Sequence, residues 1–146
     1  MTEYIKKLEL RFINCVREKI FKFKCSKDVY KSAIVRDELI ESDREKFLCF
    51  HLDGKNRVLN YEVVSVGSLN SSIVHPREVF KAAIKSNATS VIFLHNHPTG
   101  DPNPSSDDLA ITKRLVESSK ILGIKVLDHI IVGDDSYFSF SEENLL

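Results

Sequence analysis

The sequence predicts an α/β domain in which a mixed β-sheet is flanked by helices. Two observations carry that expectation. Apolar runs of strand length alternate with longer amphipathic stretches. One run, SVIFL (90–94), is apolar throughout, as strands covered on both faces are. With 146 residues, 42% of them hydrophobic and 29% charged, the chain is long enough to bury one core of its own.

The elements follow from local signals. Residues 7–24 alternate weakly and predict one or two strands, so 1–25 is expected to form an N-terminal strand or extension and 26–146 the main domain. Ser26 suits an N-cap, with Asp28 in the first turn, for a helix over 27–39 whose Val29, Ala33 and Ile34 share a face. KFLCFHLD (46–53) and RVLNYEVVSV (57–66) predict a hairpin around the turn 54–56. GSLNSS (67–72) predicts a loop. Pro76 suits the first position of a helix reaching about Ser86, with Val79, Phe80, Ala83 and Ile84 inward and Asn87 at its end. After the strand at 90–94, PTGDPNP (98–104) holds three prolines and a glycine and must loop. Ser105 or Ser106 then caps a long helix that Gly123 ends, with Leu109, Thr112, Leu115, Val116, Ser119 and Leu122 on its buried side. IKVLDHIIV (124–132) and SYFSF (136–140) are the last strands, separated by a turn.

Composition excludes several classes. No apolar run approaches the roughly 20 residues of a membrane span, and the start, MTEYIKKLELRF, has no apolar signal core. The expectation is a cytoplasmic protein with no membrane partner. Cys15, Cys25 and Cys49 include no CxxC pair, which predicts reduced packing thiols rather than disulfides or a cysteine zinc site. Net charge is zero, and residues 101–146 carry 9 Asp/Glu against 4 Lys/Arg. The densest basic stretch is Arg17, Lys19, Lys22, Lys24 and Lys27. It could touch a nucleic acid, but it reads better as a solvated strand or linker, and the chain lacks the basic balance of a dedicated DNA binder.

The segment HNHPTGDPNPSSDD (95–108) carries the chemistry. Residues i and i+2 of a strand face one side, so His95 and His97 can aim both imidazoles at one point. The proline-rich loop turns the chain, and Asp108 falls in the first turn of the next helix, where side chains lean back toward the N-terminus. Two nitrogens and one oxygen make a plausible zinc set with a fourth position for water. Two plainer readings stand beside this one. Ser105-x-x-Asp108 resembles a capping box, in which Asp108 only satisfies a backbone N–H. The histidines could bond loop carbonyls. Capping and metal binding are also compatible, with Ser105 capping while Asp108 ligates. Asp128 and His129 are neighbours in a strand and face opposite sides, so they cannot share one ion; one of them could bond a ligand histidine's other nitrogen. His51 and His75 have no partners in sequence and read as ordinary strand and loop residues.

His95-x-His97, seven residues, Ser105, two residues and Asp108 resemble the JAMM signature of the JAB/MPN metalloprotease superfamily. With REKFLCFHLD (44–53), SVGSLNSSIVHPREVFKAA (65–83) and LDHIIVGDDSYFSF (127–140), the stretch 26–141 resembles its RadC-like branch. The resemblance implies a JAB/MPN-like, cytidine-deaminase-like architecture. It implies that His95, His97 and Asp108 hold Zn2+, and that Ser105 supports a tetrahedral intermediate. It places the general base at Glu45, with Glu62 and Glu78 as the competing positions that spacing does not exclude. The implied activity is zinc-dependent hydrolysis of a peptide or isopeptide bond in a protein or peptide substrate. The alternative is a non-catalytic module of the same fold, associated with DNA repair or DNA-bound partners. A DNA role comes only from the branch's traditional name. Longer members carry an N-terminal helix-hairpin-helix-like region, for which the 25 residues ahead of the domain are too few.

HNH as a nuclease motif needs its residues spread over a hairpin and a helix, and here they adjoin one another. A nucleobase deaminase needs HxE and PCxxC, and neither occurs.

Overall fold

The structure, a computed structural model, describes residues 22–68 and 74–146 together with positions 5, 7, 9 and 11. The expected strands over 7–24 lie largely outside these residues, as do Cys15, Arg17, Lys19 and most of the expected loop at 67–72. In chain order the elements are α1 (Ser26–Tyr30), α2 (Ala33–Val35, running into a wide π turn at Arg36–Ile40), β1 (Lys46–Leu52), β2 (Val58–Val66), α3 (Pro76–Lys85), β3 (Ser90–Asn96), α4 (Ser106–Leu122), β4 (Lys125–Val132) and β5 (Tyr137–Ser139). The strands form one mixed sheet in the order β2-β1-β3-β4-β5. All neighbours are antiparallel except β3 and β4, which α4 joins by the long crossover a parallel pair requires.

The sheet is the middle layer. Residues 47–52 of β1 and all of β3 are buried, because both faces are covered. On one face Phe47, Cys49 and Phe93 pack with Val79, Phe80 and Ala83 of α3 and with Ile111 and Leu115 of α4. On the other, Leu48, Phe50, Ile92, Leu94 and Ile130 pack with Val29, Val35 and Leu39 from the first helical turns. Phe23 joins this second core by stacking on Phe50, with ring centroids 5.7 Å apart. The α/β class with helices on a mixed sheet is the one the sequence predicts.

The departures are local and have causes. The single helix expected over 27–39 is broken at Lys31 and Ser32, where the Ser32 hydroxyl caps a new start by accepting from the Val35 N–H at 3.4 Å. Ser26 is not the N-cap of α1; Cys25 holds that place without a side-chain bond, and the Ser26 hydroxyl is drawn instead to Asp128 at 2.8 Å. Ile84, Leu109 and Leu122, expected inward, are 55%, 43% and 45% exposed. The buried stripe of α4 is Asp108, Ile111, Thr112, Leu115 and Ser119, set by the polar anchors at 108 and 112 rather than by the leucines. β3 runs two residues past Leu94, which carries the strand geometry to His95 and Asn96.

Candidate metal centre

The site forms at the C-terminal end of β3, where the N-terminus of α4 meets the sheet. Register brings its parts together. Phe47 on β1 pairs with His95 on β3, and continuing that antiparallel register sets Glu45 opposite His97. The chain thus carries a glutamate 50 positions upstream to the histidine pair. Donor atoms of Glu45, His95 and His97 lie within 4.8 Å of one another. His97 continues the ladder beyond β3, its N–H donating to the Val132 carbonyl at 3.0 Å.

Asp108 arrives from α4. Its Oδ1 lies 3.1 Å from His95 Nε2 and its Oδ2 lies 3.2 Å from His97 Nε2. The two Nε2 atoms are 3.0 Å apart. The three groups therefore point at one another around a single centre. A tetrahedral zinc with ligand bonds of about 2.0–2.1 Å has ligand–ligand edges of roughly 3.3–3.4 Å, so the triangle is close to the size that ion requires. The capping reading of Asp108 also holds: Ser105 Oγ accepts from Asp108 N–H at 3.1 Å and Ser105 N–H donates to Asp108 Oδ2 at 2.7 Å. The box fixes the carboxylate while both oxygens still face the histidines.

The proton inventory sharpens this geometry. His97 Nδ1 lies 2.7 Å from the Asp101 carbonyl, which can only accept, so Nδ1 carries the hydrogen and neutral His97 presents a bare lone pair at Nε2. Lone pairs facing a carboxylate require a cation between them, either a proton or a metal ion. The same demand appears in the titration behaviour. Burial raises the Asp108 carboxyl, but the two imidazoles and the Ser105 N–H outweigh it and hold it well below the usual carboxylate range. The hydrogen bond to Asp108 pushes His97 up against a smaller effect of burial. His95 is fully enclosed, and burial pushes it down despite Asp108. Enclosure differs across the set. His95 and Asp108 side chains are 0% and 4% exposed and His97 is 15%, so the centre opens on the His97 side.

Two supporting residues make contacts that have no signal in the linear pattern. Asn96, between the histidines, is buried; it accepts from Lys46 N–H at 2.8 Å and donates to the Arg44 carbonyl at 2.9 Å. It grips the backbone on both sides of Glu45. Thr112, one turn beyond Asp108, bonds His129 at 2.6 Å. A threonine on a helix face and an asparagine at a strand end are common, and only the fold shows what each meets. His129 does meet a nitrogen of the histidine pair: its Nε2 lies 2.8 Å from His95 Nδ1. Asp128, its neighbour, faces the other way and accepts from Ser26, Ser139, Ser141 N–H and its neighbour's own N–H.

The loop over the site is held by two close approaches. Gly100 has φ +88, and a Cβ there would collide with Asp134, while a Cβ on Gly133 would collide with the Gly100 carbonyl. The competing glutamates sit elsewhere. Glu78 is exposed and pairs with Lys81 at 2.7 Å. Glu62 lies across from Cys49, beyond the Phe47–His95 pair, and burial raises its carboxyl. His75 caps α3 by accepting from Arg77 N–H at 3.1 Å, and His51 is buried against Asn60.

A mixed five-stranded sheet with helices packed on it is the fold of a JAB-type domain. The RadC-like JAB domain model matches residues 23–145, and the chain belongs to that family. It is 49% identical to a UPF0758 protein of Methanosarcina mazei over 139 residues, covering 95% of this chain and 60% of that protein. It is 54% identical to a UPF0758 protein of Methanosarcina acetivorans over 123 residues, covering 84% and 53%. It is 61% identical to a UPF0758 protein of Trichlorobacter lovleyi over 109 residues, covering 75% and 47%. The chain thus spans about half the length of these relatives. Among the described residues, no helix is long and apolar enough to cross a membrane.

Proposed function

We propose that the chain is a zinc-dependent hydrolase that cleaves an amide bond, peptide or isopeptide, in a protein or peptide substrate. The observation that supports this most strongly is the convergence of His95, His97 and Asp108 as three lone-pair donors with Glu45 beside them. These three residues would hold the ion. When bound, zinc supplies Lewis acidity toward a carbonyl and acidity to water.

The chain's own groups do the rest. The Glu45 carboxylate takes the proton of the attacking water as its oxygen bonds to the carbonyl carbon. It then delivers that proton to the amide nitrogen as the C–N bond breaks. The Ser105 hydroxyl accepts from Asp108 N–H, which leaves its own proton to donate to the developing oxyanion. His97 borders the open side, where a carbonyl can approach.

Elemental analysis and a peptide-cleavage assay test the reading together. About one zinc per chain is expected. Glu45→Gln should keep that zinc and lose about 100-fold or more in rate, the usual contribution of a positioned base. Protein that takes up no zinc from solution would end the proposal. Zinc uptake with no cleavage of any peptide or isopeptide library would instead favour a binding module on the same scaffold.

A further inference from the structure

His129 has no part in the reaction proposed above, yet it is 1% exposed and lies directly behind the histidine pair. It is stacked on Phe140, with ring centroids 4.8 Å apart, and edged by Phe47 and Phe93. Both of its nitrogens are used. Nε2 lies 2.8 Å from His95 Nδ1, and Nδ1 lies 2.6 Å from Thr112 Oγ1. Thr112 Oγ1 lies 2.7 Å from the Asp108 carbonyl. The chain of contacts runs from β3 through β4 to α4 and ends on the backbone of the residue that supplies the third proposed ligand.

The direction of every proton in that chain is decided at Thr112. A threonine hydroxyl has one hydrogen, and a neutral imidazole has one N–H. The Asp108 carbonyl can only accept. If the hydroxyl turned toward His129, two oxygens would stand 2.7 Å apart with no hydrogen between them. Donation to the carbonyl removes that repulsion and leaves Thr112 Oγ1 as an acceptor. His129 Nδ1 must then carry its hydrogen, its Nε2 bears the lone pair, and His95 Nδ1 donates to it. One proton serves each of three bonds. His95 Nε2 is left bare, facing Asp108 and His97.

We infer that His129 and Thr112 are positioning residues that lock His95 in its Nδ1–H tautomer, so that its Nε2 is presented as a metal donor before any ion arrives. Which imidazole nitrogen ligates is set by the hydrogen bond the other makes, and such supporting contacts typically carry 10- to 100-fold in metal affinity. The tautomer lock stands on the hydrogen-bond chain alone; its consequence for zinc rests on the function proposed above.

Imidazole 15N NMR on the full metal-free chain, together with zinc affinity from chelator competition, tests it. Wild type should show His95 and His129 both as Nδ1–H. Thr112→Val keeps the shape and removes the hydroxyl; it should mix the His129 tautomers and weaken zinc by about tenfold or more. Thr112→Ser restores the hydroxyl and should recover the affinity. An Nε2–H signal for His129 in wild type overturns the lock, whatever zinc does. So does Thr112→Val with wild-type His95 and His129 tautomers, and wild-type zinc affinity in that variant overturns the lock's consequence for zinc. A wild type that shows these tautomers but binds no zinc would sink the metal reading and leave the lock standing.

Discussion

Asp108 and Asp128 are both buried carboxylates, and their surroundings differ in one countable way. Asp128 faces donors: two serine hydroxyls and two backbone N–H groups, at 2.7–2.9 Å. Its acceptor sites are filled, and it ties α1, β4, β5 and the following turn into one unit. Asp108 receives one backbone N–H, and its remaining partners are two imidazole nitrogens that the inferred tautomers leave as lone pairs. A filled carboxylate is finished by folding. A carboxylate among lone pairs is finished only by a cation, because an uncompensated buried charge is costly. Polar residues of similar burial on opposite faces of one sheet therefore do different work, and partner chemistry separates them where burial does not.

The largest expected effects come from exchanging the two aspartates' fates. Asp108→Ala, like His97→Ala, should abolish zinc uptake. Its cost in stability should be that of a lost helix cap, about 1 kcal/mol. Asp128→Ala should do the reverse: it strands four donors and should cost about 3 kcal/mol or more in urea unfolding, yet keep one zinc per chain. Metal analysis beside unfolding midpoints reads both. If Asp128→Ala lost zinc while remaining folded, or Asp108→Ala retained it, the distinction between a structural and a ligating carboxylate would collapse.

That contrast also marks what was legible in the sequence. His95 and His97 were readable because strand period puts i and i+2 on one side, and Asp108 because a cap position aims its side chain back at the loop. The same alternation separated Asp128 from His129. Glu45 came only from the family's pattern, since its approach depends on how β1 pairs with β3, 50 positions apart. The partners of Asn96 and Thr112 were not legible, although the helix period did place Thr112 on the buried side. Their roles exist only where one side chain reaches Arg44 and Lys46 and the other reaches His129. Ser26 was misread for the same reason: a local cap was outcompeted by a carboxylate 102 positions away.

A pH series sharpens the comparison on the Asp128 side. Burial holds the Asp128 carboxyl above its ordinary 3.8, although its four donors pull it down. A carboxyl raised in the folded state binds its proton more tightly there than when unfolded. Its contribution to stability is thus full below pH 3.8 and is lost as pH rises through the folded value. Unfolding free energy of wild type relative to Asp128→Asn should therefore fall with rising pH across that window and become flat above it. A difference that grows with pH there would mean that the four donors outweigh burial, and that Asp128 is a stabilised anion instead.

The smallest expected effects belong to the two glutamates outside both networks, and they test whether position or charge selects the base. Glu78 is solvent-exposed and bonded to Lys81, and exposed pairs of this kind contribute little. Glu78→Gln should leave zinc, cleavage and unfolding midpoint unchanged within error. Glu62 is half-buried, with one carboxylate oxygen enclosed and, among the described residues, without a hydrogen-bond partner, and burial raises its carboxyl. Glu62→Gln removes a charge that burial already disfavours, so at neutral pH it should stabilise slightly, again with zinc and cleavage intact. A raised carboxyl is the usual mark of a catalytic acid or base, so titration alone would nominate Glu62. Geometry nominates Glu45, within 4.8 Å of the histidine pair. Cleavage lost in Glu62→Gln and kept in Glu45→Gln would hand the role to the residue that titration favours.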